Sequence, residues 1–192
     1  DRRPDAHRAS GFREERGEQM PRDMRVVPYD GQWPTQFEAV KAALAAIFGD
    51  LAVDIQHVGS TSIVGMWAKP ILNIIVLVTD IAAVDGLTDR MEMAGYLPRG
   101  ERGMAGRRYF VKLAGDGVNH TQHIHCYEKE NPMVFDMLLF RGYVRMDRES
   151  FERYKAVKIE ASQKFRHSPA EYTEYKTGTV RDILAKARQH RE

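Results

Sequence analysis

From Ile71 to Val78 the chain reads Ile-Leu-Asn-Ile-Ile-Val-Leu-Val, apolar everywhere except Asn73. A run of that length and β-branched content suits a strand buried on both faces, because a half-buried strand would alternate apolar and polar residues. Such a strand needs neighbours in a sheet and a layer on either side, which commits the chain to an α/β or α+β design. The flanking segments agree. Trp33, Phe37, Val40, Leu44 and Ile47 recur at spacings of three and four, predicting an amphipathic helix from Trp33 to Phe48 with Gly49 as its stop. Val53–Val58, Arg107–Leu113 and His120–Tyr127 read as strands, and Arg25–Tyr29 as a shorter one. Ile81 to about Met93 reads as a helix with Gly95 near its end, and Asn131–Phe140, Ser150–Phe165 and Pro169–Gln189 as three more. The expected architecture is a small mixed β-sheet followed by a C-terminal helical cap, one domain over residues 25–192.

Residues 1–24 stand apart. Up to Arg25 the chain holds seven Arg and six acidic residues, with only Phe12, Met20 and Met24 as sizeable apolar groups. A segment that buries so little surface does not offset its ordering entropy, so a flexible tail is expected. A formal net charge of +2 gives no reason to expect general attraction to nucleic acid or to an anionic membrane. Cys126 is the single cysteine, so no intrachain disulfide forms. With no apolar run long enough to span a bilayer, a cytoplasmic location is the expectation.

Chemistry concentrates at Gln56-His57-Val58-Gly59-Ser60-Thr61-Ser62. A strand that ends in Gly-Ser-Thr turns tightly enough to offer backbone amides and hydroxyls to an anion. Gly59 admits close backbone approach, and Ser60 and Thr61 supply donors. The segment is equally an ordinary turn with a Ser/Thr cap, and it lacks the spacing of a Walker loop. In nucleotidyltransferase-type sites such a turn precedes a strand with alternating carboxylates, which share one face and bind a pair of magnesium ions. Here those positions are Asn73 and Ile75: an amide ligates a hard dication weakly, and Ile75 not at all. A second cluster, His120, His123 and His125, puts two imidazoles on one face of a strand, suited to a metal, to phosphate or to proton transfer.

Several further motifs fall into one pattern: Val27-Pro28-Tyr29 with Trp33-Pro34, His57 to Ser62, Ala68-Lys69-Pro70-Ile71, Arg108 to Lys112, His120 to His125, Phe140 to Arg145 and Tyr172 to Lys176. As a set, over about Arg25 to Arg188, they resemble the GrpB-like family, which implies a nucleotidyltransferase-like fold and leaves the reaction poorly defined. The resemblance implies an Asp where this chain has Asn73. Catalysis lost, a different chemistry, and an altered residue all remain open at that position. It also implies a small phosphate-bearing ligand, such as a nucleoside triphosphate, held by Gly59, Ser60, Thr61, Lys69, Arg108, Arg141 and Lys176. The expected reaction is transfer of a nucleotidyl or phosphoryl group to a small hydroxyl- or amine-bearing acceptor, with His123 or His125 assisting proton transfer and magnesium bound weakly at Asn73. The alternatives are a nucleotide-binding module without catalysis, and a histidine-dependent transferase or ligase.

Overall fold

The computed structural model describes residues 22–190. Helix α1 spans Trp33–Phe48, with Pro34 in its first turn and Gly49 at its C-cap in a conformation of φ 53°. The sheet strands are β1 (Ala52–Val58), β2 (Leu72–Val78), β3 (Leu97–Pro98), β4 (Arg108–Leu113) and β5 (His120–Glu128). They lie in the order β1-β2-β5-β4-β3, with β2 and β5 parallel and every other pair antiparallel. Between β2 and β3 runs a 3-10 segment, Ala82–Leu87, continued by α2 (Thr88–Met93). Helices α3 (Pro132–Met146), α4 (Arg148–Lys164) and α5 (Pro169–Gln189) follow β5 as the cap. The mixed sheet and the C-terminal cap are as expected from the sequence.

Strand β2 is central, and its apolar run divides between two layers. Leu72, Ile74, Val76 and Val78 pack with Ile124, Phe110 and Cys126 under α1 and the 82–93 segment. Ile75 and Leu77 pack with Val58, Tyr127 and Val134 of α3 on the opposite face. Asn131 caps α3 by accepting from the Met133 amide, and Asp147 caps α4 by accepting from the Ser150 amide. Each cap satisfies an N–H that the first helical turn leaves unpaired.

Four expectations are revised. Arg25–Tyr29 forms no strand but one antiparallel bridge, Val27 to Ala68; Pro28 has no amide with which to extend the ladder. The expected helix from Ile81 begins as a 3-10 segment, with Gly86 weakening the helical preference at its centre. Helix α3 continues through Gly142 to Met146, because packing against α4 and α5 outweighs one unfavourable residue. The tail boundary also moves. Residues 1–21 lie outside the described residues, but Arg166 pairs with Asp23 and the Met24 amide donates to the Arg166 carbonyl. The Met24 side chain is 1% exposed, packed with Val26, Ala161 and Tyr172. Met24→Ala is therefore expected to cost about 2–4 kcal/mol of stability in chemical denaturation. A cost below about 0.5 kcal/mol would place Met24 outside the core.

Candidate functional site

The turn after β1 is fixed by backbone geometry. Gly59 sits at φ 69°, ψ −170°, a region that side-chain-bearing residues avoid. Ser62 closes the turn by donating its amide and hydroxyl to the Gly59 carbonyl. This places Gly59 directly over Asn73. Asn73 faces His123 across the parallel β2–β5 pair, and Ile75 faces His125 one pleat further on.

Seven of the residues singled out from the sequence line one cavity of about 230 Å³: Gly59, Ser60, Thr61, Lys69, Asn73, His123 and Lys176. Ile71 and the cap supply the rest of the wall, with Tyr154 and Lys158 from α4 and Tyr172 from α5. The lining holds three lysines and no carboxylate. Lys69 Nζ lies 4.7 Å from the centre of the Tyr172 ring, and Lys176 Nζ lies 5.7 Å from the same centre. Lys158 is 2% exposed and donates to the Trp67 carbonyl, its ammonium 5.1 Å from the Tyr154 ring centre. None of the three forms an ion pair among the described residues. Burial, then the charges of Lys176 and Arg22, push the Lys69 amine down to about 7. Burial, then Lys176 and Lys69, hold Lys158 well below the usual lysine range. A site so charged is poised for an anion, because an arriving phosphate relieves repulsion between its own cations.

The histidines form a neutral relay. His123 Nδ1 lies 3.2 Å from Asn73 Oδ1, and His120 Nδ1 lies 2.8 Å from His123 Nε2. Both contacts are satisfied when each ring carries its proton on Nδ1: His120 donates to His123, which donates to Asn73. The Asn73 amide in turn donates to the Ile71 carbonyl at 3.4 Å. Burial, followed by His125 and His120, pushes His123 down to about 2. Burial and nearby Arg22 push His120 down to about 4. Both nitrogens of His123 are therefore engaged within the protein.

Four expected site residues take other roles. The Thr61 hydroxyl is 2.9 Å from His57 Nε2 and donates to the Ile71 carbonyl, so it pins the turn to the strand and has no hydrogen left for phosphate. His125 packs against Tyr109 and Arg107 outside the cavity, with burial and then Arg107 pushing it down to about 3. Strand alternation turns Arg108 to the opposite face, where it makes a two-point pair with Asp85 at 2.6 and 2.9 Å. Arg141 donates to the His57 carbonyl at 2.6 Å and to Gln56 Oε1, tying α3 to β1 beside a separate surface cleft. Lys158 escaped the sequence reading, although its spacing from Tyr154 and Ala161 puts it on the buried stripe of α4.

Magnesium does not fit these residues. Asn73 Oδ1 is engaged by His123, the lining otherwise offers a dication only hydroxyls, and the surrounding charges are positive. No group of three or more His, Cys, Asp or Glu suited to a metal occurs among the described residues. No helix among them is long and apolar enough to cross a membrane.

Comparison with known proteins places this geometry in context. The family model described as GrpB protein matches residues 23–186. Over 168 residues the chain is 34% identical to UPF0157 protein YqkA of Bacillus subtilis, covering 88% of this chain and 48% of that one. The chain thus spans about half the length of that relative. Among solved structures, conserved protein GrpB from Enterococcus faecalis superposes with a TM-score of 0.81 at 32% identity, covering 88% of this chain and 100% of the other. The Cid1 poly(U) polymerase superposes with a TM-score of 0.46 at 14% identity, over 69% of this chain and 41% of the other.

Proposed function

We propose, from the premise that the chain belongs to the GrpB protein family, that it binds a small phosphate-bearing ligand, a nucleoside triphosphate or a phosphometabolite, without a resident metal ion. The observation that carries this reading is the meeting of Lys69, Lys158 and Lys176 on one cavity that contains no carboxylate. Lys69 and Lys176 take the anion's charge, and Ser60, now bonded to Tyr154 at 3.2 Å, offers a hydroxyl. His123 and Asn73 hold each other as a neutral floor. Transfer of a nucleotidyl or phosphoryl group would need magnesium carried in on the ligand's own phosphates.

Calorimetric titration with sulfate and with a nucleoside triphosphate tests the reading. Lys176→Ala, half-buried and without an ion pair, is expected to weaken both at least about tenfold, or 1.4 kcal/mol, while leaving the melting temperature nearly unchanged. The affinity for sulfate, whose charge is constant, should fall as pH rises through about 7, where Lys69 loses its proton. The same titrations on Asn73→Asp separate binding from metal-dependent transfer. A metal-free anion site loses affinity, whereas a latent magnesium site gains about tenfold when magnesium is present. Unaltered affinity in Lys176→Ala would remove the phosphate site from this cavity.

A further inference from the structure

The lysine-lined cavity is continued by a second cleft. Gly59, Asn73, Tyr154 and Lys176 line both, and the second has a volume of about 280 Å³. Its remaining wall is largely apolar, with Met133, Met137 and Phe140 from α3 facing Val180 and Leu184 from α5. Apart from Lys176, which faces the anion cavity, the polar groups it contains are engaged. Asn73 bonds His123 and Ile71, Tyr154 bonds Ser60, and Arg188 donates to both oxygens of Asp136. A nucleobase is read by donors and acceptors on its edge, and between Met133 and Leu184 this wall is mostly hydrocarbon and sulfur. The Phe140 ring is engaged with Tyr154 in a T-shaped contact at 5.0 Å. Thioether and branched aliphatic side chains instead adapt to a flexible hydrocarbon.

We propose that the ligand is a phosphate monoester of an aliphatic group, its phosphate on Lys69 and Lys176 and its hydrocarbon between α3 and α5. This rests on the anion reading above and narrows it to one substrate class. The anionic pole and the apolar pole are set by two adjoining cavities, so a ligand with both fits better than one with either.

The test is a calorimetric series of inorganic phosphate, butyl, pentyl and hexyl phosphate, and adenosine monophosphate. Each methylene added to the alkyl chain is expected to tighten binding about three- to fourfold. Leu184→Gln, which places an amide in the apolar wall, should flatten the series and leave inorganic phosphate affinity unchanged. Met137→Gln serves the same purpose from α3 should the first variant melt early. Adenosine monophosphate should bind more weakly than hexyl phosphate. A flat alkyl series with phosphate still bound would overturn this inference and leave the anion site standing. Failure of phosphate and every ester to bind would overturn both. Adenosine monophosphate binding more tightly than hexyl phosphate, or a slope unaltered in both glutamine variants, would also reject the aliphatic assignment.

Discussion

Between pH 6.5 and 4 the melting temperature is expected to fall steeply, beginning before the carboxylates titrate. His57, His120, His123 and His125 are held neutral in the fold, at about 4, 4, 2 and 3, mainly by burial and then by neighbouring arginines or histidines. Unfolded, each takes a proton near 6.5. In this window the unfolded chain binds more protons than the folded one, so stability rises with pH and is lost on acidification. Each fully buried imidazole contributes up to about 1.4 kcal/mol per pH unit, with His120, more open to solvent, contributing less. Against a total stability of about 5–15 kcal/mol, two pH units remove a large share of what holds the fold. Asp23, Asp85, Asp147 and Glu160, whose pKa values are lowered, begin to lose their contribution only near pH 5, so the fall from about pH 6.5 to 5 belongs to the imidazoles. Circular dichroism melts at successive pH values check this. A melting temperature flat from pH 6.5 to 4.5 would mean that the imidazoles are not shielded as described.

Gly59→Val is expected to be the most damaging single substitution in the site, through the fold rather than through ligand contact alone. The residue sits at φ 69°, where a side chain is strained, and a Cβ there would lie 3.2 Å from Asn73 Cβ and 3.3 Å from its Nδ2. A β-branched residue adds further bulk against the same amide. Strain and overpacking together cost about 2–6 kcal/mol. For a chain of this size that corresponds to a fall in melting temperature of roughly 5–20 °C. Displacing Asn73 also removes the acceptor for His123, so the His123 ring signals should shift in heteronuclear spectra of any folded fraction. Gly59→Ala carries the same backbone strain with less bulk and should fall between the two. A melting temperature within about 2 °C of the parent would contradict the turn geometry.

Much of the framework was legible in the sequence because its signals are local. The α1 stripe of Trp33, Phe37 and Leu44, stopped by Gly49, and α5, opened by Pro169, appear with the expected bounds. The central strand announced itself through Ile71 to Val78. The site was half legible. Gly59, Asn73 and His123 meet because the turn and the β2–β5 pairing bring them together, and the alternation of side chains along a strand was available in advance. What no local pattern encodes is where each long side chain ends. Arg108 and Lys176 look alike as motif-adjacent cations, yet Arg108 finds Asp85 on the far face while Lys176 finds Tyr172 in the cavity. Thr61 and Ser60 look interchangeable until the register of Ile71 decides which hydroxyl is consumed.

Arg141 has a consequence for the protein's life in a crowded solution. A sheet ends where its outer strands stop offering paired groups, and an unprotected edge invites another chain to add itself. Here one end is β3, two residues long and closed by Pro98, which has no amide to donate. The other end is β1, irregular between Ala52 and Asp54, with its His57 carbonyl already occupied by the Arg141 guanidinium. A cation that the sequence suggested for phosphate instead occupies one of the backbone acceptors that a sixth strand, or a neighbouring copy, would need.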